Sequence, residues 1–265
     1  MMASSTSQPA SNMVPKYEVK LLMDPTNVLD SNKRLKPTVL ETFTAAPPVV
    51  KMAIQFLDTN TKDIYNKDWS PRIRKVQGKA DFELTYKRRY TIANGEIDAT
   101  LAIAAEDGFD LATTIYEAQV DLGYEKQTLS INRDEFHPSS GYDAMDLPGE
   151  EHSRIMLTEH APEKFDNWVK KQWITDKLKE SRIYGPVLAQ RYVGEWGGEK
   201  VYIEMWPVKA AIGTGTEYIV EASFKVRKRT KAFKMRQELM DLLCTKGWFL
   251  ARDFLRTSAI MERYW

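Results

Sequence analysis

The chain has 265 residues, 43% of them hydrophobic, and a formal net charge of +1. A nearly neutral chain is not a general nucleic-acid coat protein, and a single cysteine, Cys244, excludes an intrachain disulfide. The first residues lack the apolar segment of a signal peptide, and no uncharged apolar run is long enough to span a membrane. We expect a cytoplasmic protein with no nucleic-acid or membrane partner, a disordered tail over 1–14 and a single domain over 15–265.

The first predicted element is a strand over residues 16–22. Its residues alternate, which places Lys16, Glu18 and Lys20 on one polar face. A short helix is predicted around 38–45, and Pro47 with Pro48 would end it. A further strand is predicted over 49–57, where it leads into the most informative stretch of the chain.

Residues 56–90 predict a hairpin with one apolar and one strongly cationic face. Arg72 and Arg74 share a face because side chains two apart in a strand do. In the predicted strand after Gly78, Phe82 lies on one face, and Glu83 and Lys87 lie on the other. One interpretation is the solvated side of an antiparallel sheet. The other is a set of cations that converge on a phosphate, which Arg binds with a planar fork and Lys as a point charge.

The second half of the chain repeats the alternating pattern. Strands are predicted over 115–122, 126–132, 188–193, 200–206 and 218–227. Residues 99–105 suit a strand or a short helix, residues 133–152 a surface loop, residues 161–181 and 230–245 helices, and residues 248–265 a partly extended end. The three histidines match no metal-ligand spacing. If the apolar faces pack under helices, a closed sheet would turn the charged faces inward.

Several short motifs, in this order, resemble those of the CYTH superfamily, the triphosphate tunnel metalloenzymes, which include thiamine triphosphatases and one class of adenylate cyclases. The matching segments are Lys16-Tyr17-Glu18-Val19-Lys20, Leu57-Asp58-Thr59-Asn60, Arg72-Ile73-Arg74, Glu83-Leu84-Thr85-Tyr86-Lys87, Arg191, Val201-Tyr202-Ile203-Glu204 and Ile219-Val220-Glu221. The resemblance implies an α+β fold: an antiparallel eight-stranded β-barrel, or tunnel, with helices packed outside.

The resemblance also implies a site that binds a phosphorylated small molecule. It assigns substrate binding to Arg72, Arg74, Lys87 and Arg191. It assigns catalysis to Glu18, Lys20 and Lys87. It assigns Mg²⁺ or Mn²⁺ to Glu18, Glu204 and Glu221, with Glu117 as a further candidate. Hard divalent cations take oxygen ligands of this kind.

Two positions depart from the family pattern: Lys16 and Ile219 stand where the family has glutamates. Both departures fall on the metal-binding side, whereas the basic side is intact. The first functional hypothesis is a metal-dependent phosphohydrolase of the triphosphatase kind. The alternatives are a lyase or cyclase that acts on a diphosphate-bearing molecule, and a non-catalytic module that binds an anionic ligand.

Overall fold

A computed structural model describes residues 12–112 and 115–264 of the chain. The predicted tail lies outside these residues up to position 11; beyond it, Asn12 forms a β-bridge with Asp110, and Met13 is buried. The strands are β1 (Lys16–Met23), β2 (Ala46–Asp58), β3 (Trp69–Val76), β4 (Asp81–Ile92), β5 (Glu117–Leu122), β6 (Gln127–Pro138), β7 (Arg182–Trp196), β8 (Glu199–Lys209) and β9 (Thr216–Val226). The α-helices are α1 (Pro25–Val28), α2 (Pro37–Thr42), α3 (Ile97–Glu106), α4 (Glu150–Glu159), α5 (Glu163–Asp166), α6 (Trp173–Lys179), α7 (Arg229–Thr245) and α8 (Arg256–Arg263).

Within the described residues, the nine strands close into one barrel in the order β1-β5-β6-β4-β3-β2-β7-β8-β9. The first pairing is parallel, with Lys16 opposite Gln119 and Val19 opposite Leu122. The other pairings are antiparallel. The prediction of eight antiparallel strands is therefore wrong in number and in the direction of one pair. Alternating directions can close a ring only with an even number of strands, so nine strands require a parallel seam.

Strand β4 shows how alternation separates the inside of the barrel from the outside. Phe82, Leu84 and Tyr86 are fully buried on the outer face, where the Tyr86 hydroxyl donates to the carbonyl of Leu157 in α4 at 2.9 Å. Lys87 lies on the opposite face, toward the barrel interior, where the carboxylate of Asp121 acts on it. The predicted hairpin and its two faces are confirmed, and the cationic face lines the tunnel.

A second buried cluster lies inside the barrel on the β2, β7, β8 and β9 side. Trp206 and Ile219 belong to it. Trp206 lies two residues after Glu204, and Ile219 lies two residues before Glu221, so each shares a strand face with its glutamate. Ile260 and Met261 of α8 complete the cluster. Helix α8 therefore fills this side of the tunnel with apolar side chains, and the segment 248–265, predicted to be partly extended, contains a helix.

The predicted helix over 161–181 is wrong, because the structure divides it into α5 and α6. Polar side chains satisfy the backbone at the break: Asp166 Oδ1 accepts the amide of Thr175 at 2.8 Å, and Asn167 Oδ1 accepts the amide of Gln172 at 2.8 Å. Gln172 itself has a left-handed backbone with φ of 57°. Elsewhere, 99–105 is helical (α3), the helix predicted over 230–245 corresponds to α7, and 133–138 extends strand β6.

Candidate functional site

The five predicted cations come together along the inner face of the barrel. Lys20 lies on β1, Arg72 and Arg74 on β3, Lys87 on β4 and Arg191 on β7. Each is less exposed than a solvated surface side chain, and each has electrostatic partners on other strands. Their roles stay predictions. The structure adds that most of them face carboxylates of the chain itself.

The first group joins the two arginines of β3 to β4. Arg72 Nη2 donates to Glu83 Oε1 at 3.1 Å and to Thr85 Oγ1 at 2.7 Å. Arg74 Nη2 lies 2.5 Å from both Glu83 oxygens. Burial, with the charge of Arg74 beside it, lowers the pKa of Arg72 to about 10. Burial opposes the ionisation of Glu83, but the two arginines outweigh it and lower the pKa of this carboxyl.

These arginines retain unused donors. The Nε atoms of Arg72 and Arg74 are buried and have no hydrogen-bond partner among the described residues. A buried unsatisfied donor costs about 1–3 kcal/mol, more when it is charged. A phosphate oxygen that reached these atoms would remove that cost.

The second group centres on Lys20. Its ammonium lies 2.9 Å from Glu18 Oε2 and 2.8 Å from Asp121 Oδ1. Gln119 Nε2 donates to both carboxylates at 2.6 Å. Burial would lower the pKa of Lys20, but Asp121 and Glu18 outweigh it and raise the pKa above its ordinary value. Glu18, predicted as a metal ligand and a catalytic residue, is therefore already paired with a cation.

Lys87 differs from the other cations in having no ion pair. Among the described residues, its Nζ has no hydrogen-bond or ion-pair partner; burial and more distant charges are what act on it. Burial, together with the charges of Arg89 and Lys20 and against the opposing effect of Asp121, lowers the pKa of Lys87 to about 7. This amine therefore loses its proton at a lower pH than an ordinary lysine does. Lys87 is therefore the one predicted catalytic side chain with a free amine to accept a proton.

The third group lies where the polar and apolar sides of the tunnel meet. Arg191 donates to Glu204 Oε1 through Nε at 2.7 Å and Nη2 at 2.5 Å. Glu221 is the cross-strand partner of Glu204. Arg256, the first residue of α8, contacts Glu204 Oε2 and lies 3.3 Å from Glu221 Oε1. A cation from the C-terminal helix thus lies between two of the predicted metal ligands.

The carboxylates predicted to bind Mg²⁺ or Mn²⁺ do not fit a metal in this arrangement. Among residues 12–112 and 115–264, no group of three or more His, Cys, Asp or Glu side chains is placed to hold one. Glu204 is saturated by two arginines, and Glu18 is bonded to Lys20 and Gln119. Glu117 lies at the tunnel mouth, where it pairs with Lys16 at 2.7 Å. The metal stays a prediction.

The two departures from the family pattern have structural counterparts. Lys16 bonds Glu117 and not Glu18, so it does not compete for the carboxylate two residues away. Ile219, where the family has a glutamate, is 2% exposed in the same cluster as Ile260 of α8. An apolar side chain at this position matches the apolar helix that occupies this side of the tunnel.

Sequence reasoning missed Arg256. Residues 248–265 contain no long amphipathic pattern, and a helix of eight residues is stabilised mainly by tertiary packing. The local signal is the spacing of Ile260 and Met261, three and four residues after Thr257; all three side chains are buried. Arg89 was also not selected, although alternation places it on the same face as Lys87; it bonds Ser70 and Thr257 of α8 at 2.9 and 3.0 Å.

A cavity of about 720 Å³ opens between the polar tunnel wall and the C-terminal segment. Lys20, Arg89 and Asp121 contribute charge to it, and Leu22 and Phe254 contribute apolar surface. A cavity of this size accepts a drug-sized organic molecule. The cavity therefore has room for an organic group beside Lys20, the one of the five predicted cations that lines it.

No family model and no curated protein matches the chain. Solved structures do. HpAC1 from Hippeastrum, described as a candidate adenylyl cyclase with a dominant triphosphatase activity, is 12% identical over 92% of this chain and 93% of that chain, with a TM-score of 0.55. A candidate adenylate cyclase from Bacillus halodurans is 10% identical over 94% of this chain and 98% of that chain, with a TM-score of 0.50.

The chain shares the fold of these proteins. The predicted resemblance to the CYTH tunnel proteins is thereby confirmed at the level of the fold. At this identity the likeness carries no residue roles, which rest on the geometry above. No helix in the described part of the chain has the length and apolar character needed to cross a membrane.

Proposed function

We propose that the tunnel binds the phosphate chain of a phosphorylated small molecule and hydrolyses a phosphoanhydride bond in it. The observation that carries the proposal is the convergence of Lys20, Arg72, Arg74, Lys87 and Arg191 inside one closed barrel. A polyphosphate carries several negative charges and needs several cations. The similar fold of HpAC1, described with a dominant triphosphatase activity, supports the same substrate class.

Binding would proceed by exchange of internal partners. Four of the five cations, all except Lys87, are held in place by Glu83, Glu18, Asp121 and Glu204. These carboxylates keep several like charges close together without a ligand. Phosphate oxygens would use the free Nε donors of Arg72 and Arg74 and share the ammonium of Lys20. Such preorganised donors lose little entropy when the ligand binds.

Lys87 is the proposed general base. Its neutral amine would take a proton from a water molecule as the water oxygen bonds to the terminal phosphorus. The bond between that phosphorus and the bridging oxygen breaks, and the bridging oxygen leaves with the rest of the phosphate chain. Arg72, Arg74 and Lys20 would stabilise the charge that develops on the phosphoryl oxygens.

The substrate is proposed to carry an organic group. The cavity of about 720 Å³ is larger than a phosphate chain requires, and Leu22, Ile92 and Phe254 line part of it. This partly apolar surface also supports the alternative reaction, in which diphosphate leaves and an internal hydroxyl of the substrate attacks in place of water. A lyase or cyclase of this kind would use the same cations but release diphosphate and not orthophosphate.

A product screen tests the proposal. Purified protein is incubated with nucleoside triphosphates, tripolyphosphate and organic diphosphates, with EDTA, Mg²⁺ or Mn²⁺, and orthophosphate and diphosphate are measured separately. We expect orthophosphate release that Lys87→Met abolishes. Diphosphate release without orthophosphate would favour the lyase or cyclase. Binding of these compounds without turnover would leave only an anion-binding module.

A further inference from the structure

Helix α8 places a guanidinium inside a pair of buried carboxylates. Glu204 and Glu221 face each other across β8 and β9, and each is 3% exposed. Two buried carboxylates side by side repel each other unless one of them is protonated or a cation lies between them. Arg256 supplies it, with Nη1 on Glu204 and Nη2 at 3.3 Å from Glu221. Its guanidinium also lies 4.5 Å from the ring centroid of Trp206.

The hydrogen bonds of Glu204 leave no oxygen for another cation. Oε1 accepts two donors of Arg191, and Oε2 accepts Arg256 and the indole Nε1 of Trp206, the latter at 3.0 Å. Burial opposes ionisation of Glu204, but Arg256 and Arg191 outweigh it and lower its pKa to about 2. Two arginines and one indole therefore occupy both oxygens of this carboxylate.

The position of Arg256 is fixed by the packing of α8 and not by the ion pairs alone. Ile260 is fully buried among the apolar residues of the inner wall. The hydroxyls of Tyr65 and Ser258 lie 2.6 Å apart, and Arg89 donates to Thr257 at 3.0 Å. Just before the helix, Asp253 accepts the backbone amides of residues 124–126. The guanidinium is thus held in the tunnel before any ligand arrives.

We infer that Arg256 is the resident cation of the Glu204–Glu221 pair, in the place predicted for Mg²⁺ or Mn²⁺, and that the tunnel binds phosphate groups without a metal. A divalent ion is bound through one or two carboxylates, with water and phosphate oxygens as its other ligands. Glu204 has no oxygen to offer it while Arg256 is present, and Glu221 Oε1, which has no hydrogen-bond partner among the described residues, faces the charge of Arg256 at 3.3 Å. A guanidinium can instead donate hydrogen bonds to carboxylates and to phosphates, because its planar array of N–H donors matches both. The second half of the inference rests on the proposed function; the first half does not.

Manganese titration by calorimetry tests the first half on the intact chain. We expect no stoichiometric Mn²⁺ binding by the wild-type protein. Arg256→Ala removes the cation between the two carboxylates, although Glu204 keeps Arg191. This variant should bind Mn²⁺ at least roughly tenfold more tightly than the wild type, and adding Glu221→Gln to it should remove the gain. Arg252→Ala is the matched control, because this half-exposed arginine of the same segment pairs with Glu217. Stoichiometric Mn²⁺ binding by the wild type that Glu221→Gln abolishes would overturn the inference.

Tripolyphosphate binding tests the second half. The wild type should bind tripolyphosphate equally well in EDTA and in Mn²⁺, whereas Arg256→Ala should bind it roughly tenfold or more weakly in EDTA and recover when Mn²⁺ is added. Arg256→Lys, which keeps the charge, should stay insensitive to Mn²⁺. Wild-type binding that requires Mn²⁺ contradicts the inference and leaves the proposed function standing. If neither tripolyphosphate nor the nucleoside triphosphates of the product screen bind under either condition, the proposed function fails, and the manganese titration alone decides the assignment of Arg256.

Discussion

The two sides of the tunnel interior obey the same strand alternation but hold opposite kinds of side chain. Along β3, β4, β5 and β6 the inward positions carry cations, carboxylates and hydroxyls, as at Arg72, Lys87 and Asp121. Along β2, β7, β8 and β9 many of them are apolar, as at Ile54 and Ile219, and α8 packs on them. Alternation therefore fixes which residues face inward, whereas the polarity of the interior depends on what fills it.

The polar side of the tunnel provides the groups for chemistry and binding, whereas the apolar side stabilises the fold. The polar side holds buried charges whose pairing costs desolvation, so it is a weak source of stability. The apolar side buries hydrocarbon against a helix, which is the main favourable contribution to folding. We therefore expect substitutions on the polar side to change chemistry and binding, and substitutions on the apolar side to change the free energy of unfolding.

The largest expected effect on chemistry is at Lys87. Lys87→Met should reduce kcat by about 10²–10⁴-fold, the usual contribution of a general base, with little change in unfolding. Because burial lowers the pKa of Lys87 to about 7, the wild-type rate should rise as pH increases through that value, when the amine loses its proton. The measurement is a pH–rate profile on the substrate identified by the product screen.

Lys87→Arg separates a base from a phosphate-binding cation. Arginine keeps the positive charge but stays protonated, so we expect it to be nearly as inactive as methionine while it retains affinity for the substrate. Activity near the wild-type level in this variant would mean that Lys87 binds phosphate and that another group accepts the proton.

The largest expected effect on stability is at Ile260, on the apolar side. Ile260→Ala removes a fully buried side chain from the cluster shared by α8 and the inner wall. It should lower the free energy of unfolding by about 2–5 kcal/mol, measured by urea denaturation. Ile103→Ala on α3 is the matched control, because that side chain is 52% exposed and should change stability by less than about 0.5 kcal/mol. Equal effects at the two positions would show that α8 does not pack in the tunnel in solution.

Binding should depend on the two arginines of β3 to an intermediate degree. Arg72→Ala or Arg74→Ala should weaken tripolyphosphate binding by about 1.5–3 kcal/mol each, the scale of a hydrogen bond to a charged group. Lysine at either position should recover part of the loss, because the fork geometry is absent. Arg88→Ala is the control: Arg88 stacks on Trp168 with its Cζ 4.1 Å from the ring centroid. Unchanged affinity in both β3 variants would show that Arg72 and Arg74 form structural ion pairs and do not bind the phosphate chain.

The inward cations were predictable from sequence because alternation is local. Lys20, Arg72 and Lys87 each lie in a strand whose neighbours already define the two faces. Their carboxylate partners were less accessible: the pairing of Lys20 with Asp121 depends on which strand lies next to β1, and that strand arrives about one hundred residues later. The parallel seam was missed for the same reason.

The C-terminal helix was beyond local reasoning for a different reason. A helix as short as α8 has little intrinsic stability in water. It forms because Ile260 and Met261 pack against apolar side chains that the closed barrel brings together. Arg256 acquires its partners from that packing, so its place beside Glu204 and Glu221 could not be inferred before the helix was placed.

The smallest expected effect is at Lys16, which sharpens the contrast between the mouth of the tunnel and its interior. Lys16 and Glu117 form an ion pair at 2.7 Å, but their side chains are 48% and 63% exposed, whereas the side chain of Lys20 is 21% exposed between Glu18 and Asp121. Water screens the outer pair, and such pairs contribute about 0–1 kcal/mol. Lys16→Met should therefore leave both the unfolding midpoint and tripolyphosphate affinity within about 0.5 kcal/mol of the wild type. A substantial loss of affinity in calorimetry would show that phosphate contacts extend to the mouth. The phosphate-binding region would then reach beyond Lys20, Arg72 and Arg74.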